Sequence, residues 1–101
     1  MPPYLNKPLF KLGSVVATPG ALESLDKAGQ TPWQLLVRHV QGDFGEVDAE
    51  DRQANEEAIK DGSRILSAYV LKTGVRLWVI TEAEDDRGNR AATTLLLPEE
   101  Y

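Results

Sequence analysis

At Gly62 the spacing of apolar residues changes period, and that change constrains the fold more than any other feature of the chain. Before it, apolar residues recur three and four apart: Ala21, Leu22, Leu25 and Ala28, then Trp33, Leu36, Val37 and Val40. Such spacing puts each set on one face of a helix. After it, "SRILSAYVLK" and "VRLWVITEA" are rich in β-formers, and Thr73-Gly74 between them suits a tight hairpin turn. A polar loop, "EDDRGNR", leads to a third strand, "AATTLLLP", which Pro98 ends. Short connections make these three strands an antiparallel meander. The stretch 9–17, "LFKLGSVVA", reads as a strand preceding the helices, with Gly13 at a bulge, and is expected at an edge of the same sheet. The expected fold is therefore α+β: an N-terminal strand, three short helices, then a three-stranded antiparallel meander, with the helices on one sheet face. Leu66, Trp78 and Leu95 should lie in the meander, with Leu22, Leu25, Leu36 and Val37 packed on it. Residues 1–8, with prolines at 2, 3 and 8, form an extended lead-in, and 9–101 form one domain.

Capping chemistry sets the helix limits. Thr18 precedes Pro19, and Thr31 precedes Pro32 with Gln34 completing a capping box; Gly29 and Gly42 stop the two helices. The third helix runs from about 48 to 61. Asp48 caps it, Glu50 and Asp51 favour the positive end of its dipole, Lys60 lies in the last turn and Gly62 stops it. Its apolar face is thin: Ala54, Ala58 and Ile59, with Asn55 between them. It is expected to pack by close approach of the two alanines. Glu50, Glu57 and Asp61 fall within about 40° of one another on a solvent-facing edge.

The net charge of −5 is concentrated. Residues 43–61 hold eight acids and two bases, leaving the remainder at +1. An acidic chain lacks the basic face that phosphate neutralisation requires, so direct nucleic-acid binding is not expected. No cysteine is present, which excludes disulfides, zinc–thiolate sites and thiol nucleophiles and suits a cytoplasmic location. No apolar run is long enough for a signal peptide or membrane span.

Candidate chemistry is sparse. A calcium loop starting at Asp43 would place Gly45 at position three, Asp48 at six and Ala54 at twelve, which fails the pattern. A looser site from Asp43, Glu46 and Asp48 is the remaining metal reading; no metal and no cofactor are expected. His39, the sole histidine, borders the apolar stripe of the second helix, where packing is the ordinary role and acid–base catalysis the active one. With Arg64, Arg76 and Arg90 it could serve a small toxin-like ribonuclease, the arginines stabilising a phosphorane. No serine lies in a nucleophile elbow. Tyr69 and Trp78 read as core or sheet-face aromatics. "PPY" at 2–4 occurs in adenine methyltransferases, but here Met1 stands where their Asp or Asn does the chemistry.

Three segments, "GSVVATPGALESL" (13–25), "RHVQGDFGEVDAEDRQANEEAI" (38–59) and "RILSAYVLKTGVRLWVITEA" with "ATTLLLPEEY" (64–83 and 92–101), resemble a family of small bacterial proteins associated with plasmids and other mobile elements. Some of its members carry the label of a type I restriction–modification methylase subunit. A chain of 101 residues without a doubly wound cofactor domain does not fit that label. The family pattern passes almost directly from "ITEAD" to the "TT-LLP" strand, where this chain has the longer "EDDRGNRAA". The resemblance implies a mobile-DNA context and supplies no catalytic residues.

The expectation is a non-enzymatic accessory protein that binds a partner protein with a basic surface through Asp43, Glu46, Glu50, Glu56, Glu57 and Asp61. One form is a counter-defence inhibitor presenting a phosphate-like array of carboxylates to a nucleic-acid-binding enzyme. The alternative is the ribonuclease built on His39, Arg64 and Arg76.

Overall fold

The computed structural model describes residues 8–101, so the lead-in, apart from Pro8, and the "PPY" motif lie outside the described residues. The order is β1 (Ser14–Ala17), α1 (Pro19–Ala28), α2 (Pro32–Val40), α3 (Ala49–Asp61), β2 (Ile65–Val70), β3 (Arg76–Thr81), β4 (Ala92–Leu96) and a closing 3₁₀ turn, Pro98–Glu100. The strands form one mixed sheet in the order β1-β4-β3-β2.

The capping residues act as their chemistry requires. Thr18 accepts from the Ala21 N–H, Thr31 and Gln34 exchange both bonds of a capping box, and Asp48 accepts from the Asp51 N–H. The hairpin from β2 to β3 closes with Gly74 at φ 90°, a left-handed position that a side chain would strain.

The meander β2-β3-β4 is antiparallel as the short connections require. β1 makes the sheet four-stranded and mixed, because it pairs parallel with β4: Ser14 opposite Ala92, Ala17 opposite Leu95. It is also shorter than the expected 9–17. Gly13, at φ 66° with its α-carbon against the Arg90 carbonyl, turns the chain just before the strand and is no bulge within it.

Two apolar clusters underlie the sheet. Ala21, Leu25, Leu35 and Leu36 from α1 and α2 pack on Tyr69, Leu77, Val79 and Leu95. Phe10, Val40, Phe44, Ala58 and Ile65 form the second, and Leu12 packs against both. The expected helical stripes are rotated. Leu25 and Leu36 are buried, but Leu22 is 48% exposed, Val37 is half-buried and Trp33 is 57% exposed. Ala21 and Val40 are buried as expected, and Leu35 and His39 take the places of Trp33 and Val37, because the sheet meets each helix about one residue around from the centre of its apolar arc.

The opposite sheet face carries Leu66, Ala68, Trp78, Ile80 and Leu96, and Tyr101 returns over it to stack edge-on against Trp78 at 5.7 Å. Glu100 ties that return to the start of α1. Its carboxylate accepts from Thr18 Oγ1 and from the Leu97 N–H, and the hydroxyl contact holds it below the usual carboxylate range. Among the described residues no helix is long and apolar enough to cross a membrane.

Candidate functional site

His39 is fully buried between the two apolar clusters, edge-on to Phe10 at 5.0 Å and to Phe44 at 6.5 Å. Its ring bridges a polar line across the sheet. Nδ1 lies 2.6 Å from Ser67 Oγ and Nε2 lies 2.9 Å from Thr81 Oγ1. Thr81 Oγ1 lies 2.7 Å from Thr93 Oγ1, which donates to the Leu12 carbonyl at 2.8 Å. The last acceptor orients the whole line. A carbonyl cannot donate, so Thr93 spends its one proton on Leu12 and accepts from Thr81. Thr81 then accepts from Nε2–H. The neutral imidazole that burial favours carries its one proton there and accepts from Ser67 at Nδ1. Burial and the nearby Arg90 charge hold its pKa down at about 3. The packing role is the one the geometry supports: the ring meets no solvent, and both nitrogens are engaged.

The arginines do not gather. Arg64 and Arg76 are exposed at opposite ends of the hairpin, about 20 Å apart at ~3.3 Å per residue. Arg64 donates to Tyr101 Oη. Arg90 is buried and serves the fold: it donates to the carbonyls of Ser63 (2.8 Å), Glu82 (3.0 Å) and Ala58 (3.1 Å), the last at the negative end of α3.

The acidic segment divides into structural and free members. Asp43 is paired: it meets Arg38 at 2.7 and 3.3 Å and accepts from the Gly45 N–H, and the guanidinium holds it well below the usual carboxylate range. Tyr69 donates to the Asp43 carbonyl, and Arg38 lies 4.5 Å over the Tyr69 ring. Asp48 is spent on the cap, and Asp61 accepts from the Ser63 N–H. Glu46, Glu50, Glu56 and Glu57 are exposed and in no ion pair; the ion pairs among the described residues are Glu23–Lys27 and Arg38–Asp43. Among the described residues no three acids or histidines converge as a metal cluster would require.

Helix α3 packs through Asn55, Ala58 and the half-buried Ile59, while Ala54 is exposed. Asn55 is the anchor that alanine spacing did not suggest. Its Nδ2 donates to the Leu66 carbonyl at 2.7 Å and its Oδ1 accepts from the Leu66 N–H at 3.1 Å. The side-chain amide thus completes the outer edge of β2 as a neighbouring strand would. A lone amide among small residues on a helix's inner face was its one sequence signal. Around the helix, Glu50, Glu57 and Asp61 centre about 130° from the packed direction, which points them into solvent.

Trp33 is a second surface feature that reading it as core missed. It stands between two shallow grooves of about 400 Å³ each. One runs along Gln34, Val37, Gln41 and Asp43; the other is lined by Pro8, Phe10, Leu12 and Val40. A large exposed aromatic flanked by apolar hollows is typical of interface anchors. Comparison with family models, curated proteins and solved structures finds no match.

Proposed function

We propose that this chain acts by binding another macromolecule, as a small acidic accessory protein of a bacterial plasmid or other mobile element. The mobile-element context rests on the resemblance of its three segments to that family. The partner is a protein with a basic surface, and the counter-defence form, in which carboxylates occupy a groove meant for nucleic acid, is the version that fits the charge best. One observation carries the reading: α3 turns Glu50 and Glu57 outward and in no ion pair, Glu57 accepting only from Gln53 one turn back, while its fold contacts come from Asn55, Ala58 and Ile59. Helix-start electrostatics accounts for Asp48 and Glu50. It does not account for Glu57, near the end where the dipole disfavours a carboxylate. Asp43, Asp48 and Asp61 have local structural roles, so the recognition row narrows to Glu46, Glu50, Glu56 and Glu57.

The test is capture from a bacterial lysate on immobilised protein, alongside RNA and DNA cleavage assays. The reading expects a partner with a basic surface, retained by wild type and released by Glu50→Lys/Glu56→Lys/Glu57→Lys, with no cleavage. Cleavage of nucleic acid that disappears in His39→Gln, while that variant remains folded, would replace this reading with the ribonuclease.

A further inference from the structure

The two edges of the sheet are treated differently, and the difference points to a second copy of the chain. The β2 edge is closed from Leu66 to Ala68, leaving only Val70 at its end open. Ala68 donates to the Phe44 carbonyl and accepts from the Glu46 N–H, and Asn55 takes both groups of Leu66. Among the described residues the β1 edge is bare. Ser14 N–H donates to the Ala91 carbonyl and Thr18 N–H to that of Leu95. Alternate residues of a parallel ladder bond the same neighbour, so Ser14 and Val16 spend their backbone groups on β4. Val15 and Ala17 aim theirs outward, and no described residue bonds them.

Natural sheets blunt such edges with charge, proline or a covering segment. Here Val15 is 46% and Val16 48% exposed, and no charged residue occurs from Leu12 to Leu22 in a chain that is 27% charged. We propose that β1 pairs antiparallel with β1 of a second copy about a two-fold axis at Val16, joining two four-stranded sheets into one of eight. The register is self-complementary. Val15 of each copy exchanges two hydrogen bonds with Ala17 of the other, so the four outward N–H and carbonyl groups of each copy are all used in four bonds. Centring on Val15 would call on Gly13, which is left-handed and outside the strand; centring on Ala17 would call on Pro19, which has no N–H. A second copy also suits the charge: for a molecule at −5, the uncharged edge is where two copies meet with least repulsion. Closed two-fold pairs are the commonest oligomers. The contact is short, so the dimer is weak, with a dissociation constant of roughly 100 µM.

Sedimentation velocity of the full chain from about 5 µM to about 1 mM tests this, with two variants. Val16→Lys sets two ammonium groups against each other at the axis, ~5 Å apart at Cβ. Val15→Pro removes only an outward N–H and spares the β4 ladder. Both should weaken dimerisation at least about tenfold with unfolding midpoints unchanged at the lowest concentration, while Val70→Lys on β2 dimerises as wild type does. In wild type, the Val15 and Ala17 amides should exchange with solvent more slowly as concentration rises. A wild type that stays monomeric at about 1 mM overturns the proposal, as does a dimer whose Val15 and Ala17 amides exchange at a concentration-independent rate.

Discussion

Acidification from pH 7.5 to 5 should destabilise this protein through His39. The imidazole titrates near 6.5 when unfolded and near 3 when folded, because burial and Arg90 disfavour its charged form. The sign follows from proton counting. Below pH 6.5 the unfolded chain binds a proton that the folded chain refuses, so stability is full above 6.5 and falls as pH drops toward 3. At ~1.4 kcal/mol per unit, 1.5 units amount to about 2 kcal/mol at pH 5. Asp43, Asp61, Asp85 and Glu100 are held below their ordinary values of 3.8 and 4.5, so their contributions persist through this window and are lost only at lower pH. With a urea dependence of ~1.5 kcal/mol per molar for a domain of this size, the unfolding midpoint should fall by roughly 1 M between pH 7.5 and 5. His39→Gln should be less stable at pH 7.5 by about 1–3 kcal/mol, since the polar line through Ser67, Thr81 and Thr93 is broken. Its midpoint should then be flat over the same window. A wild-type midpoint that does not move, or an imidazole whose NMR signals titrate near 6.5 in the folded state, would refute the buried neutral ring and the proton order derived from it.

Three further outcomes are expected. Asn55→Ala should lower unfolding free energy by about 2–3 kcal/mol in urea titrations, because two hydrogen bonds go and a strand edge loses its partner. Gly45→Ala should cost several kcal/mol or prevent folding, as read by circular dichroism: at φ 73° its added carbon would lie 2.1 Å from the Ala68 carbonyl oxygen. Calorimetric titration with calcium should show no one-to-one site of micromolar affinity, since Asp43 is committed to Arg38 and Asp48 to its cap.

Local chemistry was legible in the sequence and long-range pairing was not. Thr18, Thr31 and Asp48 announce helix starts because a cap acts within three residues, and the change of period at Gly62 separates helices from strands. The meander follows from short connections. The partner of β1 lies some eighty residues away in β4, and nothing in "GSVVA" encodes which edge it joins or in which direction. Apolar spacing gives the helical stripes but not their phase, so it puts Trp33 and Leu22 in a core that they only border. His39 could be read as bordering an apolar stripe; its partners, 28 and 42 residues on, could not. Arg90 sits in a polar loop by sequence, yet it reaches back 32 residues to close α3. Of the candidate acids, those with structural duties were separable only once their backbone partners were in place.

The outward acids of α3 are the centre of the functional account, and one titration tests them most directly. The captured partner, once purified, is titrated against wild type and against Glu50→Lys/Glu56→Lys/Glu57→Lys at about 50 and about 300 mM salt. Wild-type affinity should fall with salt as screening shortens, the triple variant should lose binding at both concentrations, and its unfolding free energy should stay within about 0.5 kcal/mol of wild type. A folded triple variant that binds with wild-type affinity would contradict that reading, leaving the row a solvated face and moving recognition to the grooves beside Trp33.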